Sequence, residues 1–179
     1  AFPTETVYGL GAHALIPSAV ADVFAAKGRP ANDPLIVHVP DLEAALPLWA
    51  PPSCASESLV ISALASSLWP GPLTLVLPAA AAVPPAVTAS TGRVGVRCPA
   101  HPIARALLSE AGVPVAAPSA NRFGHVSPTE ASHVVEDLGG FPGGVWVVDG
   151  GPGSCGVGIE STVCAVDGPR RALEVLRRG

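Results

Sequence analysis

The chain has no methionine, a single tyrosine and only 4% aromatic residues, and 13% of its 179 residues are charged. So few rings leave little material for a platform that stacks nucleic-acid bases. Ten Lys and Arg stand against fourteen Asp and Glu, and a net charge of −4 gives no strong electrostatic case for nonspecific binding to nucleic acid or an anionic membrane. Any phosphate chemistry must therefore rest on a few placed cations. Apolar stretches are broken by Pro, Gly or Ser well short of about 18 residues, so no transmembrane helix is expected, and the opening residues do not read as a signal sequence. Cys54, Cys98, Cys155 and Cys164 form no CxxC pair, which argues against a zinc ribbon or redox motif. Reduced thiols in a cytoplasmic setting are the default.

What is present is apolar: 49% hydrophobic residues are enough to core one globular domain. Val20, Val23, Phe24 and Lys27 recur at helical spacing from a start near Pro17, with Gly28 just past the end. Leu35 to Val39, Leu73 to Leu77, Val113 to Ala117 and Val145 to Asp149 read as strands, and Asp41 to Leu46, Ser56 to Leu68 and His101 to Ala111 as helices. Pro78 to Val87 reads as a surface connection. Asp167-Gly168 looks like a hairpin turn before a partner strand at Leu173 to Leu176. The chain opens on Ala1-Phe2-Pro3-Thr4 as if inside an element, so a preceding strand is expected.

Lys27 and Arg29 bracket a helix exit, and the local alternative is only a cation complementing the helix C-terminus beside a solvated arginine. Arg93-Val-Gly-Val-Arg97 alternates, placing Val94 and Val96 on one face and Arg93, Gly95 and Arg97 on the other. An arginine ending a strand can fork onto a carboxylate or phosphate. Thr4 and Thr6 beside Gly9 and Gly11 bring hydroxyls near pliable backbone. The strand ending at Ala117 runs into Pro118-Ser-Ala-Asn121, a loop suited to a phosphate or sugar, and Ser127-Pro-Thr-Glu130 matches a capping box whose helix start is also an anion site. The glycine-rich Gly150 to Gly158 fits neither a P-loop nor the dinucleotide fingerprint.

Five strings together resemble the YrdC/Sua5 family: Pro3-Thr-Glu-Thr-Val-Tyr-Gly-Leu-Gly11, Lys27-Gly-Arg-Pro with Asn32-Asp-Pro-Leu-Ile-Val-His38, Val96-Arg-Cys-Pro with His101-Pro102, Ala117-Pro-Ser-Ala-Asn121 with Ser127-Pro-Thr129, and Ile159-Glu-Ser-Thr-Val163. The resemblance spans nearly the whole chain. It implies one YrdC-like α/β domain over 1–179, with a twisted mixed sheet, flanking helices and a concave ligand cavity, and without the further C-terminal domain of the longer Sua5-type members.

The activity it implies is threonylcarbamoyl-AMP synthesis from L-threonine, bicarbonate and ATP with Mg²⁺, feeding N6-threonylcarbamoyladenosine formation in tRNA by a separate transferase. By the same resemblance Lys27, Arg29, Ser119 and Asn121 surround the ATP phosphates and the reacting centre. Thr6, His38, Arg97 and Ser161 hold L-threonine, and Asp33, Ser127 and Arg177 are nucleotide contacts, although Asp33 can equally orient Arg29. Arg93 stands where the family commonly has threonine, and Arg178 replaces the proline of its usual ending. A noncatalytic RNA-binding module is the competing reading, weakened by the acidic balance and the scarcity of rings.

Overall fold

A computed structural model describes residues 1–167 and 172–179. Nine strands and six α-helices follow one another in the order β1 (Phe2–Pro3), β2 (Tyr8–Gly9), β3 (Ala12–His13), α1 (Pro17–Lys27), β4 (Ile36–His38), α2 (Leu42–Ala45), α3 (Ala55–Leu68), β5 (Leu73–Pro78), α4 (Pro85–Thr88), β6 (Arg93–Arg97), α5 (Pro102–Ala111), β7 (Val115–Ala116), α6 (Ala131–Leu138), β8 (Thr162–Asp167) and β9 (Ala172–Arg177), among the described residues. Seven strands form one mixed sheet in the order β3-β7-β4-β6-β5-β8-β9, and β1 pairs with β2 apart from it.

The central strands explain the sheet. β4 runs parallel to β6 with His38 opposite Arg97, and β5 runs antiparallel to β6 with Thr74 opposite Arg97 and Leu75 opposite Val96. Val37, Leu75, Val94 and Val96 fall on one face and are fully buried with Val20, Leu35 and Val87 in the main core. Burying each such side chain contributes roughly 1.5–3 kcal/mol, which makes this face the anchor of the domain. Helix α1 ends as its sequence predicts: Gly28 adopts φ 60°, the left-handed conformation glycine takes at no steric cost, and caps the carbonyls of Ala25 and Phe24. Lys27 sits in its last turn.

Several expectations change. The capping box at Ser127 does not form: α6 starts at Ala131 with Glu130 as an N-cap residue that makes no side-chain cap. The reason is tertiary, since the Tyr8 N–H donates to the Pro128 carbonyl at 2.8 Å and holds that stretch extended against β2. No helix N-terminus is therefore available at Ser127. Val145 to Asp149 forms no strand; it lies along the first residue, with the Val148 N–H donating to the Ala1 carbonyl at 2.9 Å. The Pro78 to Val87 connection contains the start of α4, whose Val87 is buried together with Val83. The turn expected at Asp167-Gly168 lies partly outside the described residues. No helix among the described residues is long and apolar enough to cross a membrane.

Candidate active site

The sheet face opposite the core floors a cavity of about 870 Å³, within the range of ligand sites. Arg93, Gly95 and Arg97 of β6 line it, as their alternation with Val94 and Val96 requires. A Cβ on Gly95 would lie 3.1 Å from Thr74 Cγ2, so glycine keeps the middle of the floor open.

At one end Arg97 is held by groups from the first loop. Its Nη1 donates to Thr6 Oγ1 at 3.0 Å and its Nη2 to Glu5 Oε1 at 2.6 Å, while Glu5 Oε2 accepts the Ala100 N–H at 3.1 Å. Thr6 and Thr4 share a hydroxyl contact of 2.8 Å. Among the described residues Arg97 Nε is buried without a partner, and so is Nδ1 of its neighbour His38. Burial, assisted by the Arg97 charge, pushes the His38 pKa down to about 3, so its imidazole is neutral at physiological pH. Ser161 closes this end: its hydroxyl meets Thr74 Oγ1 at 2.8 Å, and Arg177 donates to its carbonyl through Nε at 3.1 Å and Nη2 at 2.8 Å.

The second cluster surrounds the exit of α1. Arg29 is not a solvated loop residue: its side chain is 14% exposed, pairs with Asp33 Oδ1 at 2.9 Å and donates to the carbonyls of Asp33 and Pro34. Asp33 thus orients Arg29 toward the cavity that both line. Lys27 is buried behind the wall, and its ammonium donates to the Ser119 carbonyl at 2.5 Å and to the Asn121 carbonyl. Burial first, then the Arg29 charge, lowers the Lys27 pKa to about 8, opposed by Asp137 and Asp33. Asn121 Nδ2 donates to the carbonyls of Arg122 and His125 at 2.8 Å each, and its buried Oδ1 has no partner among the described residues. The Ser127 hydroxyl donates to Glu160 Oε1 at 2.5 Å, and that bond leads the causes that hold the Glu160 carboxyl below its ordinary range.

The structure therefore gathers Thr6, His38, Arg97 and Ser161 at one end of the cavity, with Arg29, Asp33, Ser119 and Arg177 also lining it. Lys27, Asn121 and Ser127 lie behind the lining and act on it through Ser119 and Glu160. Glu5, Thr74 and Glu160 are the participants that the sequence reading left out. Thr74 did leave a trace, as the one hydroxyl in the otherwise apolar run Leu73 to Leu77.

The whole chain, residues 1–179, matches the family model Sua5_yciO_yrdC, described as telomere recombination. It is 49% identical over 172 residues to the threonylcarbamoyl-AMP synthase of Bacillus subtilis (strain 168), covering 94% of this chain and 47% of that protein. It is also 49% identical over 164 residues to the threonylcarbamoyl-AMP synthase of Pyrococcus abyssi, covering 91% of this chain and 45% of that protein. The chain thus spans about half the length of the curated relatives it matches first. The crystal structure of P. abyssi Sua5 complexed with L-threonine superposes with a TM-score of 0.88 at 46% identity, covering 99% of this chain and 49% of that one.

Proposed function

Because the chain belongs to the Sua5/YciO/YrdC family, we propose that its cavity makes threonylcarbamoyl-AMP from L-threonine, bicarbonate and ATP, releasing diphosphate. The observation that carries this is the convergence on one cavity of about 870 Å³ of Arg29, Arg93, Arg97 and Arg177 with the hydroxyls of Thr6, Thr74 and Ser161. That volume accommodates an amino acid and a nucleotide together, and its cations suit a carboxylate and phosphates.

In this reading the threonine carboxylate faces the guanidinium of Arg97, and neutral His38 lines the same end of the cavity. The threonine amine and bicarbonate give a carbamate and water; a carbamate oxygen then attacks the α-phosphate and expels diphosphate. No protein nucleophile is needed. Arg29 and Arg177 offset charge on the phosphates, and Lys27 fixes the backbone of Ser119, which lines the cavity, so catalysis is positioning and electrostatics in a water-poor site. Mg²⁺ enters on the triphosphate, whose oxygens are ligands of the kind it prefers. The product would pass to a separate transferase acting on tRNA, in a reducing compartment that suits four unpaired cysteines.

The net charge of −4 and the four arginines drawn into the cavity weigh against the RNA-binding alternative. The deciding experiment is diphosphate release from MgATP with and without L-threonine and bicarbonate, with mass detection of the adenylate. Release that requires both co-substrates supports the synthase. Release indifferent to either, or none from the folded chain, removes it.

A further inference from the structure

Asp137 lies in the last turn of α6, where the negative end of the helix disfavours a carboxylate, yet it is half-buried and both of its carboxylate oxygens are engaged. Its Oδ1 meets His125 Nδ1 at 2.9 Å, its Oδ2 accepts the Arg122 N–H at 3.1 Å, and its carbonyl accepts Arg122 Nε at 3.1 Å. Both partners belong to the loop that carries Ser119 and Asn121, and Asn121 Nδ2 grips the carbonyls of the same two residues. On the other side α1 holds that loop through Lys27, whose ammonium takes the Ser119 and Asn121 carbonyls and whose own carbonyl accepts the Phe123 N–H at 2.8 Å. The loop is thus suspended between two helices, and Asp137 is the anchor on the second.

We infer that Asp137 is a positioning residue for the nucleotide end of the site, holding the Ser119–His125 loop so that Lys27, Ser119 and Asn121 meet, without itself touching substrate. The inference rests on the reading of this corner as the phosphate site. A charge contribution accompanies the geometry. The Lys27 ammonium is faced by Arg29, which loosens its proton, and by Asp137 and Asp33, which tighten it, while His125 and Arg122 face Asp137 in turn. Neutralising Asp137 removes one of the two carboxylates that keep Lys27 charged.

The test compares Asp137→Asn with Glu136→Gln, its exposed neighbour on the same helix, in the full chain. Amide hydrogen exchange at Arg122, Phe123 and His125 is expected to quicken about tenfold in Asp137→Asn while α1 is unchanged, since one charged anchor is lost. KM for MgATP should rise about tenfold with KM for L-threonine within about twofold, and the alkaline limb of the rate profile should move to lower pH. Glu136→Gln should change none of these. His125→Gln, which removes one of the three bonds, should give a smaller change in the same direction and serves if Asp137→Asn does not fold. Wild-type exchange in the loop, or parallel rises in both KM values, overturns the inference. A wild type that releases no diphosphate defeats the proposed activity instead, and the exchange measurement still decides whether Asp137 holds the loop.

Discussion

Val94 and Val96 of β6 are fully buried in the core, while Arg93, Gly95 and Arg97, one residue away in each case, line the cavity. The two faces obey different rules. On the core face the packed side chains are apolar. On the cavity side lie His38 Nδ1 and Arg97 Nε, with Asn121 Oδ1 behind the wall: three of the four buried side-chain polar atoms without a partner among the described residues. Each unpaired group costs roughly 1–3 kcal/mol, which the core face must offset. Stability and binding are thus separated by a rotation of half a turn along the same strand, and substitutions on alternate residues should separate them too.

The largest effect is expected where the cavity face is itself wired into the fold. Arg97→Ala removes the cation proposed for the threonine carboxylate and strands Glu5, whose side chain is 15% exposed. Loss of one member of a buried pair costs about 4 kcal/mol, so both stability and KM for L-threonine should suffer, the latter by about 100-fold. Denaturant unfolding and threonine titration of diphosphate release measure the two. A threonine KM unchanged by Arg97→Ala would detach this arginine from the substrate. Next comes Leu75→Ala on the core face, expected to cost about 3 kcal/mol by leaving a cavity at a fully buried position. Its KM values should stay at wild type if the faces are independent.

The same alternation decides what was legible in the sequence. The period of two in Arg93 to Arg97 and the Lys27-Gly28 helix exit are local signals, and both are found in the structure as read. Ser127 misled because its capping pattern is local while its actual partners are not: Glu160 takes its hydroxyl from 33 residues away, and Tyr8 fixes the next residue's carbonyl. Val145 to Asp149 has strand composition but finds no strand partner among the described residues: Val145 and Val147 pack on the core while the Val148 N–H donates to the Ala1 carbonyl. Glu5 and Thr74 reach partners 92 and 87 residues away, and no spacing rule joins such positions. Family resemblance could name Arg97 and Ser161, but only the fold brings out the residues that hold them.

A third effect links the faces through pH. His38 is buried neutral with its pKa pushed down to about 3, chiefly by burial and then by Arg97, whereas the unfolded chain binds a proton near 6.5. Protonation therefore favours the unfolded chain: this contribution is fully present above about pH 6.5 and is lost as pH falls, by about 2 kcal/mol between pH 6.5 and 4.5. His38→Gln should flatten that part of the stability profile in denaturant titrations at stepped pH. An equally steep profile in the variant would assign the acid loss to other groups.

The smallest effect tests whether the hydroxyls of the cavity floor belong to the substrate or to the fold. Thr74 is fully buried, and its hydroxyl bonds the Ser161 hydroxyl, opposite Arg97 in the sheet register. Thr74→Val keeps the shape and the β-branched preference for a strand, and deletes one neutral hydrogen bond worth about 1 kcal/mol. If that bond merely braces Ser161, unfolding should weaken by about this amount with KM for L-threonine unchanged. If it aims the Ser161 hydroxyl at the amino acid, the loss should appear as a KM for L-threonine raised about fivefold, with KM for MgATP untouched. The proposed division of the cavity predicts the second outcome. A rise in the nucleotide KM alone would reverse the two ends of the site.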